Sequence, residues 1–337
     1  MPDPALSIVV VFFNMRREAH RSLLSLSKRY QTGVANLEYE VIAIDNGSTA
    51  PLDEATVRAF GPEFRYQFFD TKSPSPAEAV NFGVSQARGR QLMIMVDGAH
   101  MLTPRVLWTA ATVMADFAQP FVATVSLALG AAPTVVSGRT VPPAESAAWD
   151  QAAEDRLLAS VDWQRNGYEL FRLARSFNDL AMGWFGCLFE SSCFAISRAA
   201  FEQLSGFEQR FQSAGGGLVA LDFFRRAVSR PDLAYVVLLG EATFHQYHGG
   251  AASSAKPGGE HPWPRFLTEY QSIRGGANYQ RVARLPIYFG QFPPQALPLA
   301  ELSARNGFAF WRQAQAQGQP QQQQPPSQSP QQQPPSV

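Results

Sequence analysis

The 337-residue sequence has only two cysteines, Cys187 and Cys193. Two thiols make no disulfide framework and do not stand at zinc-ligand spacing, so the expectation is two inert thiols in a reducing compartment. Charge of either sign is not in excess, because Lys plus Arg and Asp plus Glu each total 28. No net field draws such a chain to nucleic acid or an anionic membrane, and an anionic ligand must be caught by local groups. Long hydrophobic runs are missing too. The first apolar run ends at Phe13, too short for a transmembrane segment and without an export signal before it, which predicts a cytoplasmic protein with at most peripheral membrane contact. Glycines are absent where two nucleotide-binding classes need them. Val11-Phe12-Phe13-Asn14 lacks the Gly-rich cradle of a nucleotidyltransferase, and no G-x-G-x-x-G of a dinucleotide-dependent oxidoreductase follows the first run.

What is present is ample apolar material, 45% of the residues, enough to bury a sizeable core. From Gln313 onward the chain is nearly all Gln, Pro, Ser, Ala and Gly, a composition that predicts a disordered tail over 313–337. Before it, apolar runs alternate with helical patterns, which predicts an α/β fold with a mostly parallel central sheet and helices on both faces. Strands are expected at 6–13, 39–44, 66–69, 91–96 and 121–128. Asn14 is placed to cap the first helix, Pro51 and Pro76 to begin others, and Pro104 to open one around Trp108. The second half reads more loosely, with a polar helical segment through Glu154 and Arg172. Strands are expected there at 193–196 and 234–239, and helices at 198–204 and 218–228. There is no internal repeat.

In an open parallel sheet, ligands bind beyond the carboxyl ends of the strands. Three segments emerge there: Phe12-Phe13-Asn14, Asp45-Asn46-Gly47-Ser48 and Asp97-Gly98-Ala99-His100. The Asp45 carboxylate is suited to a base or ribose, with Gly47 letting the turn approach a ligand, although the same four residues make an ordinary Asx turn. Asp97 ends an apolar strand, a usual place for a carboxylate that holds a divalent cation, and His100 is either a further ligand or structural. Asp45 and Asp97 are expected to emerge side by side from neighbouring parallel strands.

These pieces, taken in order, resemble family 2 glycosyltransferases of the GT-A fold. The ordered set runs through Val41-Ile42-Ala43-Ile44-Asp45, Pro76-Ala77-Glu78-Ala79-Val80-Asn81-Phe82-Gly83, Ala87-Arg88-Gly89, Met95-Val96-Asp97-Gly98-Ala99-His100, Ser197-Arg198 and Gly206-Phe207-Glu208. The resemblance implies an inverting transfer from a nucleotide-diphosphate sugar to a hydroxyl acceptor, either a glycan, a lipid-linked group or a small molecule. On that likeness Phe13, Asn14, Asp45 and Gly47 contact the nucleotide, and Asn81 sits beside it. Asp97 matches the first carboxylate of the family's metal motif, while Ala99 stands in place of the second. A divalent cation, manganese or magnesium, is implied, with His245 and His248 of the later segment 243–250 as compensating ligands.

The family's catalytic base lies at a helix start after glycine, and the corresponding stretch here, 215–226, holds one carboxylate. Asp222 is the first candidate base, with Glu190 and Glu208 behind it; equally, Asp222 pairs with Arg225 or Arg226 at helical spacing. Trp163, Trp184 and Phe185 either stack on a sugar or fill the core. The expected organisation is a nucleotide-sugar-binding half, 1–130, and an acceptor-side half, 131–312, of one domain. The alternative is a degenerate module that keeps the fold and binds a sugar or a partner.

Overall fold

The computed structural model describes residues 3–130, 134–136, 139–141, 150–176, 183–249 and 262–316. In chain order the first half forms β1 (Leu6–Phe12), α1 (Arg16–Leu26), β2 (Tyr39–Asn46), α2 (Glu54–Arg58), β3 (Phe64–Phe69), α3 (Ala77–Gln86), β4 (Gln91–Met95), β5 (His100–Leu102), α4 (Val106–Asp116) and β6 (Pro120–Leu129). A small hairpin follows, β7 (Thr134–Val136) and β8 (Arg139–Val141), then α5 (Gln151–Ala159) and β9 (Ala174–Ser176). The remainder comprises β10 (Cys193–Ser197), α6 (Arg198–Gln203), α7 (Val219–Val228), β11 (Ala234–His245), α8 (Trp263–Ile273), β12 (Ile287–Gly290) and α9 (Leu297–Ala316).

The main sheet has the order β12-β11-β6-β10-β4-β1-β2-β3, with β5 added to β11 and β9 to β6. Pairings along β4-β1-β2-β3 are parallel, β10 is antiparallel to both its neighbours, and β6-β11-β12 are parallel again. This is the expected mostly parallel α/β architecture. Its central strands are continuous apolar runs because both faces are covered: every residue of β1 and of β2 is buried.

Two contacts explain why widely spaced motif pieces occur together. Asn81 on α3 donates from Nδ2 to the Phe207 carbonyl and accepts at Oδ1 from the Phe207 N–H, each at 2.9 Å. Arg198 donates to the carbonyls of Val84 (2.9 Å), Ala87 (2.6 Å) and Gly89 (3.1 Å), tying the Ala87-Arg88-Gly89 turn to the start of α6. Arg88 itself joins Arg65 on the buried Glu40. These motif residues are therefore occupied in holding the scaffold.

Several expectations are corrected. Asn14 does not cap α1: Met15 takes that position, and Asn14, at φ +54°, accepts instead from Thr49 Oγ1 (3.0 Å) and Ala50 N (3.1 Å). The helix expected from Pro51 begins later, where Asp53 accepts from Thr56 N. The strand expected to end at 239 runs on to His245, because a bulge between Val237 and Ala242, with Gly240 at φ +71°, resumes pairing after an interrupted apolar run. Residues 313–316, expected in the tail, extend α9; Trp311 Nε1 donates to the Phe185 carbonyl (2.9 Å) and anchors that helix. The rest of the expected tail lies outside the described residues.

Candidate functional site

The carboxyl ends of β1, β2 and β4 share one edge of the sheet. Asp45 and Asp97 do not leave adjacent strands, however, since β1 runs between β2 and β4. With strands spaced about 4.8 Å apart, the two strand ends are separated by ~10 Å. Phe13, directly after β1, has half of its surface open to solvent (50%) and is a natural platform for a planar ligand.

Asp45 is fully buried and already committed. It accepts from Ser48 N (3.0 Å) and from Leu52 N (2.8 Å), the turn reading of this motif. Asn46, which the sequence did not single out, is different: Nδ2 donates to the Ser75 carbonyl (3.3 Å), while its buried Oδ1 has no partner. Gly47 sits at φ +69°, and a Cβ there would collide with the Thr71 carbonyl oxygen. Protein backbone rather than a ligand thus accounts for that glycine.

At Asp97 the structure makes a cluster that no single motif announces. β5 returns antiparallel to the end of β11 with His100 opposite His245. One bond further out, Gln246 N donates to the Ala99 carbonyl (2.8 Å), which keeps the segments carrying Asp97 and His248 together. The Asp97 Oδ2 lies 3.3 Å from His245 Nε2 and 3.2 Å from His248 Nε2. The two imidazole nitrogens are 3.0 Å apart. One ligand atom from each of the three residues falls within 4.8 Å of the others. The second Asp97 oxygen accepts from Ala99 N at 2.8 Å and orients the carboxylate. Burial acts to raise the Asp97 carboxyl, but its contacts with His245 and His248 outweigh this and hold it well below the ordinary range. Burial conversely acts to lower His248, and contact with Asp97 raises it.

His100 is not part of this cluster. It is buried, its Nδ1 lies 3.1 Å from Thr243 Oγ1, and its ring stands 4.8 Å from that of His245. Burial, then the neighbouring His245, lowers it to about 3, so it is a neutral packing residue behind the cluster. Gly98 is fixed by proximity: a Cβ would strike the Phe12 ring.

The histidine segment is held from behind by a network that the sequence did not reveal. Glu154, buried on α5, accepts from Tyr247 N (2.6 Å) and Arg17 (3.1 Å). Arg17 also reaches Glu18 (2.8 Å) and Asp155 (2.6 Å), and Gln246 Nε2 donates to Ser22 Oγ (3.0 Å). Residues 246–247 are thereby bolted to α1 and α5 on either side of His245 and His248. Gly250, the last residue of the expected loop, lies outside the described residues.

Asp222 is corrected as a candidate base. It is fully buried, accepts from Arg226 Nε (2.8 Å), and receives a two-pronged Arg274 guanidinium at 2.8 and 2.6 Å. The helical pairing was legible; Arg274, 52 residues away, was not. Glu208 is also taken, held by Arg210 (2.6 Å), with Arg274 at 3.8 Å. The bond from Arg210 comes first among the causes that lower its carboxyl to about 2. Glu190, by contrast, is only partly buried, and no ion pair offsets the burial that pushes its carboxyl up to about 7. Trp163 and Trp184 are buried core, and Phe185 packs against Tyr288, Phe292 and Phe308. Burial pushes the Cys187 and Cys193 thiols up to about 11 and 12, which leaves them inert at neutral pH.

An aspartate oxygen with two imidazole nitrogens is a borderline donor set, better matched to manganese, zinc or iron than to an all-oxygen magnesium site. The three residues fit a divalent cation in number and proximity. Among the described residues, no helix is long and apolar enough to cross a membrane.

Residues 7–110 match the model of the family described as Glycosyl transferase family 2. That segment spans β1 to the first turns of α4 and carries Asp45, Asn81 and Asp97, so the resemblance read from the motifs is shown there. No curated protein matches the chain. Among solved structures it is similar to S. aureus TarS 1-349 in complex with UDP-GlcNAc, at 15% identity over 90% of this chain and 73% of that one, with a TM-score of 0.48. It is likewise similar to S. aureus TarS 1-349 in complex with UDP, at 16% identity over 79% of this chain and 72% of that one, TM-score 0.44. To S. aureus TarS the identity is 16%, over 80% of this chain, with a TM-score of 0.44. This chain spans 43% of that protein's length.

Proposed function

We propose that the protein is a metal-assisted glycosyltransferase that moves a sugar, with inversion, from a nucleotide-diphosphate donor to a hydroxyl on a glycan or lipid-linked acceptor in the cytoplasm. The observation that carries this reading is the Asp97, His245 and His248 cluster at the carboxyl end of β4, of which Asp97 lies within the segment that matches the family 2 model. Asp97, His245 and His248 would hold the cation, which when bound neutralises charge building on the departing diphosphate. Phe13 gives the base a stacking face, and the unpartnered Oδ1 of Asn46 is an acceptor at the same edge. The two imidazoles supply what Ala99, standing where the family has a second carboxylate, does not. Residues 1–130 serve the donor, and residues 131–312 the acceptor.

A nucleotide-release assay across uridine and guanosine diphosphate sugars, with UDP-GlcNAc as the first probe, tests this reading. Sugar-dependent turnover that requires manganese supports it. Absence of binding to every donor, with and without manganese, counts against it and favours a module that keeps the fold without the reaction.

A further inference from the structure

The ladder between β10 and β4 dictates where the chain before Cys193 must lie. Cys193 is paired with Met95, and the Val96 N–H donates to the Ser192 carbonyl at 3.3 Å, carrying the antiparallel register one residue past the strand. Glu190, two residues before Ser192, therefore lies at the end of β10 that adjoins the carboxyl end of β4, the sheet edge that holds the candidate site. Unlike the other acids considered, Glu190 is uncommitted. Asp222 is taken by Arg226 and Arg274, Glu208 by Arg210, Glu154 by Arg17 and Tyr247, and Asp45 by its turn. The Glu190 carboxylate makes no hydrogen bond and no ion pair among the described residues, although it is partly buried. A partly buried carboxylate without a partner costs stability, and such costs concentrate where chemistry needs them.

The groups around it are consistent with a proton acceptor. Tyr279 donates its hydroxyl to the Phe189 carbonyl at 3.2 Å, and the nearby Glu190 charge adds to the burial that raises that phenol. Arg281 lies over the Phe189 ring at 4.9 Å, and both Arg281 and Arg225 act on Tyr279, yet neither is among the causes that shift Glu190. Asp97, at the end of β4, is engaged by its two histidines.

We propose that Glu190 is the catalytic base of the transfer, an inference that rests on the glycosyltransferase reading above. The acceptor hydroxyl oxygen uses a lone pair to form the new bond to the anomeric carbon. The bond from that carbon to the diphosphate oxygen breaks, its electron pair leaves with the nucleoside diphosphate, and the hydroxyl proton passes to a Glu190 Oε. Because burial holds Glu190 near 7, it is ionised enough to accept a proton and basic enough to be useful at neutral pH.

The test measures UDP release from UDP-GlcNAc with manganese and water as acceptor, alongside UDP binding by calorimetry. Glu190→Gln is expected to release UDP ~10²–10⁴-fold more slowly than wild type while UDP affinity holds and the thermal midpoint does not fall. Wild-type release should fall on the acid side of about pH 7, the limb should vanish in Glu190→Gln, and formate should restore part of the rate in Glu190→Ala. Release by Glu190→Gln at the wild-type rate overturns the assignment, as does a loss that formate leaves untouched in Glu190→Ala. A wild-type protein that does not bind UDP overturns the transfer reading instead, which separates the two failures.

Discussion

His248 Nε2 lies 3.2 Å from the Asp97 carboxylate, although 151 residues separate them in the chain. The relationship follows from the pairing of β5 with β11, His100 opposite His245, which brings together the segments that carry Asp97 and His248. Replacing either Asp97 or His248 by Ala should lower manganese affinity by at least tenfold, read by paramagnetic resonance of free manganese. His100→Gln should lower the thermal midpoint but change manganese affinity less than either, because His100 packs behind the cluster. Equal losses of affinity from all three variants would mean that His100 is a ligand after all.

Phe13 is half exposed, so Phe13→Ala removes little buried area and should leave the thermal midpoint within a degree or two. If the ring is the base platform, UDP binding should weaken by about 1–3 kcal/mol, the range for loss of one base–aromatic stack. Unchanged affinity would remove Phe13 from the site.

Asp222 is bonded by two guanidiniums in a buried position. Asp222→Asn should therefore act on stability, costing up to about 3 kcal/mol in denaturant unfolding, because two partly buried cations lose their counter-charge. Folded Asp222→Asn protein should still release UDP at a rate comparable to wild type. A stable but inactive variant would return Asp222 to the catalytic machinery.

Stability should decline with rising pH across the weakly acidic to neutral range. Burial raises both Glu190 and Glu241 from 4.5 to about 7. The folded state then binds more protons than the unfolded chain between those values, and stability falls as pH climbs through that window. His248, raised above 6.5 by Asp97, contributes in the same direction, its stabilisation fading as pH passes its folded value. Glu208, lowered to about 2, contributes stability that is complete above about 4.5 and flat across the window. His100, lowered by burial to about 3, acts the other way below about 6.5, where the unfolded imidazole binds a proton that the folded one does not, and so offsets one of the two carboxyls and leaves the net decline. Thermal midpoints from pH 5 to pH 8 check this, and Glu190→Gln should flatten the slope. A midpoint that rises with pH would contradict it.

The parallel sheet was legible because strands buried on both faces are continuous apolar runs, as in β1, β2 and β4. Asp97 was legible for the same reason, being the first charge after such a run. His245 and His248 could be named from their glycine-flanked spacing, but their meeting with Asp97 depends on a non-local pairing of β5 with β11. Asp45 read equally well as ligand or turn, and its two backbone bonds show the turn. Asp222 misled because its second partner, Arg274, lies beyond α8, where no local spacing points. The Glu154 and Arg17 brace was hidden similarly, since its halves lie 137 residues apart. Glu190 stood out only once its rivals were found to be paired.

The central claim is that the Asp97, His245 and His248 cluster links a divalent cation to a nucleoside diphosphate. Calorimetry of UDP with and without manganese, on wild type and on Asp97→Ala, tests it most directly. Manganese should tighten UDP binding at least tenfold in the wild type and have no effect in Asp97→Ala. UDP binding that is equally tight in both proteins, whether or not manganese is present, would contradict it.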